Sequence, residues 1–132
     1  MYNFTNIIQI STVRCGVIVV AEAIQMSTDV NPLRYLLGWL ITGTRGGVTR
    51  AKIITALRET PQNANQLASL LRLDYRTIRH HLEVLHKNRL IISVGDRYST
   101  TYFLSPAMEA NYALFEEIMK KIWEKEKREE NR

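Results

Sequence analysis

The chain has 132 residues, 45% of them apolar and 23% charged, which is enough for one compact domain with a real core and too little for two independent ones. That composition belongs to an ordinary globular protein and excludes wholesale disorder, which is expected only at the ends. The formal net charge of +5 becomes informative once it is divided along the chain.

Residues 1–48 carry three basic and two acidic side chains, and residues 105–132 carry six and seven. Residues 49–104 hold nine Lys or Arg against Glu59, Asp74, Glu83 and Asp96, a net +5, before His80, His81 and His86 are counted. The middle segment thus holds the whole imbalance, as a surface that meets phosphates would. The single Cys15 has no intrachain partner, so a reducing, intracellular setting and a buried, apolar role are expected for it.

In chain order, Ile7 to Met26 is the longest apolar-rich stretch. Arg14 and Glu22 interrupt it, and the uncharged run Cys15 to Ala21 is far short of the roughly 20 residues of a membrane span. Only Arg14 precedes that run, so no secretory signal is expected either; the expectation is a cytoplasmic protein with no membrane partner. Ile10, Val13, Val17, Val20 and Ile24 follow the spacing of one helical face, which predicts a helix. Asn31 and Pro32 read as a cap and first-turn pair, and Leu33, Leu36, Leu37, Leu40 and Ile41 repeat helically until Gly43.

The glycine cluster Gly43-Thr44-Arg45-Gly46-Gly47 lacks the Lys-Ser/Thr ending of a phosphate-wrapping loop and reads as a turn. Thr49 is expected to cap a helix with Ile53, Ile54 and Leu57 inward, ending before Pro61. Asn65 is expected to cap the next short helix, with Leu67, Leu70 and Leu71 on its buried side, and Leu73-Asp74 closes a short turn. Asp74 caps a longer helix from Tyr75. There Ile78, Leu82 and Leu85 form an apolar stripe, leaving Tyr75, Arg76, Arg79, His80, Glu83, His86 and Lys87 largely on other faces.

After Arg89, Leu90 to Val94 and Tyr98 to Leu104 read as two strands around a tight turn, Gly95-Asp96-Arg97. Ser105-Pro106 opens a last helix, with Met108, Tyr112, Phe115, Ile118, Met119 and Ile122 on one stripe before a charged tail from Glu124. The fold class expected is mainly α with a small β-hairpin wing, an α+β winged helix-turn-helix with extra N- and C-terminal helices. Its parts are 1–48 for dimerisation, 49–104 for DNA binding, and 105–132 for dimerisation and the charged tail.

The stretch Leu73-Asp74-Tyr75-Arg76-Thr77-Ile78-Arg79-His80-His81-Leu82-Glu83-Val84-Leu85, followed by Leu90-Ile91, resembles the recognition helix of ArsR-type regulators. The resemblance covers 49–104 and is similar in particular to small archaeal winged-helix regulators. It implies a cytoplasmic transcriptional regulator that binds double-stranded DNA as a homodimer, with the helix 75–88 in the major groove and the wing 95–100 on the backbone or minor groove. An α-helix fits the major groove, and its N-terminal residues reach base edges. Tyr75, Arg76, Thr77, Arg79 and His80 are therefore the groove candidates, although Arg79 stands where many members have Ser.

Asn63 and Asn65 precede a helix whose free backbone N–H groups attract phosphate, or they are simple caps. Arg97 at the wing tip, with Tyr98 and Thr100 beside it, is placed for phosphate or the minor groove. Adjacent His80 and His81 point about 100° apart on one helix and do not easily share an ion; His81-Leu82 matches the family's structural His-Leu, and the resemblance implies a satisfied, partly buried His81 rather than a metal ligand. ArsR-type metal sensors commonly carry thiols before the recognition helix. Gln66 to Leu71 has none, so neither metal nor cofactor is expected, and no effector is legible.

No catalytic constellation is present, so an enzyme is not expected. The apolar stripes of the terminal helices exceed what one small module covers, which predicts a two-fold dimer. Two other readings of the same residues are a winged-helix protein-interaction subunit of a larger complex and an RNA-binding module.

Overall fold

The structure, a computed structural model, describes residues 31–132. The helix expected over Ile7 to Met26, and Cys15 within it, lie outside the described residues. The chain divides into two compact units, 1–36 and 37–132, and the described part of the first is 31–36. There Asn31 Oδ1 accepts the Leu33 N–H at 3.0 Å, opening helix α1 (Pro32–Gly38). The helical rise continues into a π-helical turn, Trp39–Gly43.

Helix α2 (Gly47–Glu59) starts two residues earlier than the expected Thr49 cap. The reason is steric. Gly46 turns the chain at φ 84°, and a Cβ on Gly47 would stand 1.8 Å from the Ile41 carbonyl oxygen, so only glycine lets α2 begin against the preceding turn. Helix α3 (Ala64–Leu71) is capped by Asn63 rather than Asn65: Asn63 Oδ1 accepts the Gln66 N–H at 2.8 Å, and Gln66 Oε1 accepts the Asn63 N–H at 2.9 Å. This reciprocal pair satisfies two otherwise orphaned donors, and Asn65 lies inside the helix. Arg72, at φ 55°, reverses the chain, and Asp74 Oδ1 then caps helix α4 (Tyr75–Lys87) by accepting the Thr77 N–H at 2.9 Å.

Arg89, at φ 59°, leads out of α4 into β1 (Ile91–Val94), which pairs antiparallel with β2 (Thr101–Leu104), Ile91 opposite Leu104 and Val94 opposite Thr101. The connection is longer than the expected tight turn: residues 95–100 form a loop organised by Asp96, whose Oδ1 accepts the Tyr98 and Ser99 N–H groups at 2.9 and 3.0 Å. An aspartate that bonds the backbone ahead of it holds such a loop without strand pairing. Gln62 adds an isolated bridge to β2, its N–H donating to the Tyr102 carbonyl and its carbonyl accepting the Tyr102 N–H.

Ser105 caps α5 (Pro106–Ala110), as the Ser-Pro pair predicts. The last helix is broken, however. Asn111 turns its side chain back onto the Ala107 carbonyl at 2.8 Å, and helix α6 restarts at Tyr112 and runs to Glu130, well into the expected tail. Such side-chain bonding competes with the helical ladder and favours an interruption.

The core joins Leu40, Ile53, Ile54 and Leu57 to Leu67, to Ile78, Leu82 and Leu85 of α4, and to Leu90, Ile91, Met108 and Phe115, all buried. Leu70 departs from expectation: it is exposed, at the rim of a groove between α2, α3 and α6. The order α2, α3, tight turn, α4, hairpin is that of a winged helix-turn-helix. Burying each of the three large α4 side chains contributes about 1.5–3 kcal/mol, and this seats the helix. Leu85→Ala is expected to cost about 2–5 kcal/mol, read as a lower urea midpoint with an unchanged slope.

Candidate nucleic-acid interface

With Ile78, Leu82 and Leu85 turned inward, Tyr75, Arg76 and His80 are left exposed along α4. Thr77, half-buried, is occupied first with structure: its N–H and its hydroxyl both donate to the Asp74 carboxylate. These bonds, the hydroxyl's foremost, hold the Asp74 carboxyl below its ordinary value of 3.8. The negative cap also suits the positive end of the α4 dipole.

Arg79 is held from two sides. Its Nη1 donates to the Tyr102 hydroxyl at 3.3 Å, and its Nη2 lies 3.5 Å from Glu83 Oε1 one turn on. Tyr102, which sequence reasoning did not single out, is buried through its ring and presents only its hydroxyl to Arg79. Its signal lay in the alternation of β2, where Tyr102 and Leu104 face inward. The guanidinium of Arg79 is thereby presented in a fixed place beside the wing.

The wing tip carries Arg97 and Tyr98, both exposed, with Tyr98 at 92%. Asp96 fixes this tip. The Tyr98 and Ser99 N–H groups and the Ser99 hydroxyl bond its carboxylate and hold it below the ordinary carboxylate range, the Tyr98 N–H foremost. Asn63, Asn65, Tyr75, Arg79, Arg97, Tyr98 and Thr100 all line one shallow recess of about 70 Å³ between the start of α3, the start of α4 and the wing. Arg76, Thr77 and His80 lie outside it, farther round α4.

Two arginines, the amide end of a helix and two exposed tyrosines thus converge on one polar surface, an arrangement suited to phosphate oxygens. His80 and His81 meet edge to face, ring centroids 5.3 Å apart, and His81 is buried as expected. Among the described residues no helix is long and apolar enough to cross a membrane.

This architecture is that of a winged helix-turn-helix protein. The family model described as bacterial regulatory protein, arsR family, matches residues 47–93. A probable transcriptional regulator from Pseudomonas aeruginosa is 30% identical over 67% of this chain and 72% of its own, with a TM-score of 0.48. The chain is thus a transcriptional regulator whose residues 47–93 form an arsR-type helix-turn-helix domain. The transcriptional regulator BldR from Sulfolobus solfataricus, 12% identical over 95% of this chain and 84% of its own, has a TM-score of 0.55 and shares the fold. No curated protein matches the sequence.

Because the Asp74 carboxyl is held low in the folded chain, its contribution to stability is present above pH 3.8 and is lost as pH falls through the lowered value. Asp74→Ala is expected to lower the urea midpoint at pH 7, with the gap from the parent closing below pH 3.8.

Proposed function

We propose that this regulator binds double-stranded DNA as a homodimer, with residues 75–88 in the major groove and the wing 95–100 on the backbone or in the minor groove. The observation that carries the reading is the meeting of Arg79, Arg97 and the α3 N-terminus at one recess beside the exposed Tyr75 and Arg76. Arg76 and Arg79 read base edges, while Asn63, Asn65, Arg97, Tyr98 and Thr100 position the backbone, and Tyr75, Thr77 and His80 line the groove. Each bidentate arginine is worth about 1–3 kcal/mol of discrimination.

In this reading residues 49–104 are the DNA-binding module, and 1–48 and 105–132 serve dimerisation in the cytoplasm. The groove of about 640 Å³ between α2, α3 and α6, with Val48, Leu70 and Trp123 exposed around it, is where a second copy would pack its own apolar side chains. A two-fold dimer would set its recognition helices about 10 base pairs apart, on a roughly palindromic site.

Fragments of the source genome selected on the protein supply the duplex for anisotropy titrations. Arg76→Ala and Arg79→Ala are expected to weaken the selected duplex and relax its sequence preference. Arg97→Ala is expected to weaken all duplexes alike and to reduce the slope of log affinity against log salt by about 1. Parental binding by both Arg76→Ala and Arg79→Ala would hand the surface to a protein partner, and preference for RNA hairpins would hand it to RNA. Sedimentation at micromolar concentration is expected to show a dimer; a monomer refutes that part.

A further inference from the structure

Arg50, in the first half of α2, is 4% exposed, and its guanidinium is engaged on every side. Nε donates to the Leu40 carbonyl at 2.9 Å, and Nη2 donates to the Arg45 carbonyl at 2.9 Å and to the Thr44 hydroxyl. Nη1 lies 3.3 Å from Nδ1 of His81, which is 8% exposed on α4. A guanidinium has donors only, so His81 Nδ1 has to be the acceptor. The imidazole in this contact is neutral, with its proton on Nε2.

The groups around His81 come from three directions. Helix α2 supplies Arg50; the turn before α2 supplies Gly46, where a Cβ would stand 2.6 Å from the ring Cε1; and α4 itself supplies His80. No carboxylate acts on either Arg50 or His81 among the described residues. A buried cation that is satisfied by carbonyls, a hydroxyl and one imidazole nitrogen, with no anion, tolerates no second charge.

We propose that the Arg50–His81 contact is a proton-sensitive latch, which ties the recognition helix to α2 and to the turn 44–46, and which opens when His81 takes up a proton. Protonation at Nδ1 removes the acceptor and sets an imidazolium against a guanidinium where both side chains are largely buried. The strain falls on α4, the helix assigned above to the major groove, so the effect on DNA rests on that reading while the effect on stability does not. Burial first, then Arg50, then His80 hold the imidazole below its ordinary value of 6.5. The sign follows: the folded chain binds this proton more weakly than the unfolded one. The stabilisation is therefore full above pH 6.5 and is lost as pH falls through the lowered value.

The test follows the full chain between pH 7.5 and 5. His81→Gln keeps a side-chain acceptor for Arg50 but does not titrate. In the parent, NMR of the ring carbons is expected to show His81 titrating below 6.5, which requires no variant and so survives a His81→Gln that fails to fold. The parent's urea midpoint is expected to fall over this range more than that of His81→Gln. The parent's affinity for the selected duplex, relative to the variant's, is expected to fall several-fold. His81 titrating at or above 6.5, or parallel pH profiles for the two proteins, would overturn the latch. Absence of duplex binding at every pH would instead overturn the DNA reading, with the ring titration and the urea midpoints still deciding the latch.

Discussion

Helix α4 has to keep one stripe dry and another wet, and it meets both demands only because α2, α3 and the hairpin close over Ile78, Leu82 and Leu85 together. The helix could not be stable alone at this length, since isolated helices of three or four turns are marginal in water. Packing therefore decides which way its arginines face. The Asp74 cap and the Arg72 reversal set where the helix begins, so tertiary burial and local hydrogen bonding fix its rotation and its register independently.

The same seating explains why the wing matters to α4. Tyr102 has its ring in the core, its backbone paired with Gln62, and its hydroxyl against Arg79. One residue of β2 thus connects the loop before α3, the hairpin and helix α4. Arg79 is consequently held by a framework rather than by one flexible element, which reduces the conformational entropy lost when a partner is bound. Glu83 tempers the charge of Arg79 from the far side, although an exposed pair of this kind contributes little to stability.

The distribution of positive charge is also less simple than a sum along the chain. Arg50 is buried and spends its donors inside the fold, and Arg58 pairs with Glu109 while lying over the Tyr112 ring. Neither belongs to the recess. The basic character of the middle segment therefore reaches the candidate interface through a few side chains, Arg79 and Arg97 above all.

What the sequence alone determined is local: the three-and-four spacing of α4, its Asp74 cap, the Ser105-Pro106 start and the hairpin can all be read from neighbours within one or two turns. Wherever a choice depended on groups distant in the chain, the reading diverged. The cap of α3 is an exception: Asn63 and Asn65 are equally good caps by type, and Gln66, only three residues on from Asn63, completes the capping box. Leu70 fits the buried stripe of α3 by spacing, yet the groove toward α6 leaves it exposed. The start of α2 depends on the Ile41 carbonyl pressing against Gly47, and the hold on Arg79 depends on a tyrosine from another element. Periodicity records which face a helix turns inward, but only the assembled fold supplies the atoms that each face meets.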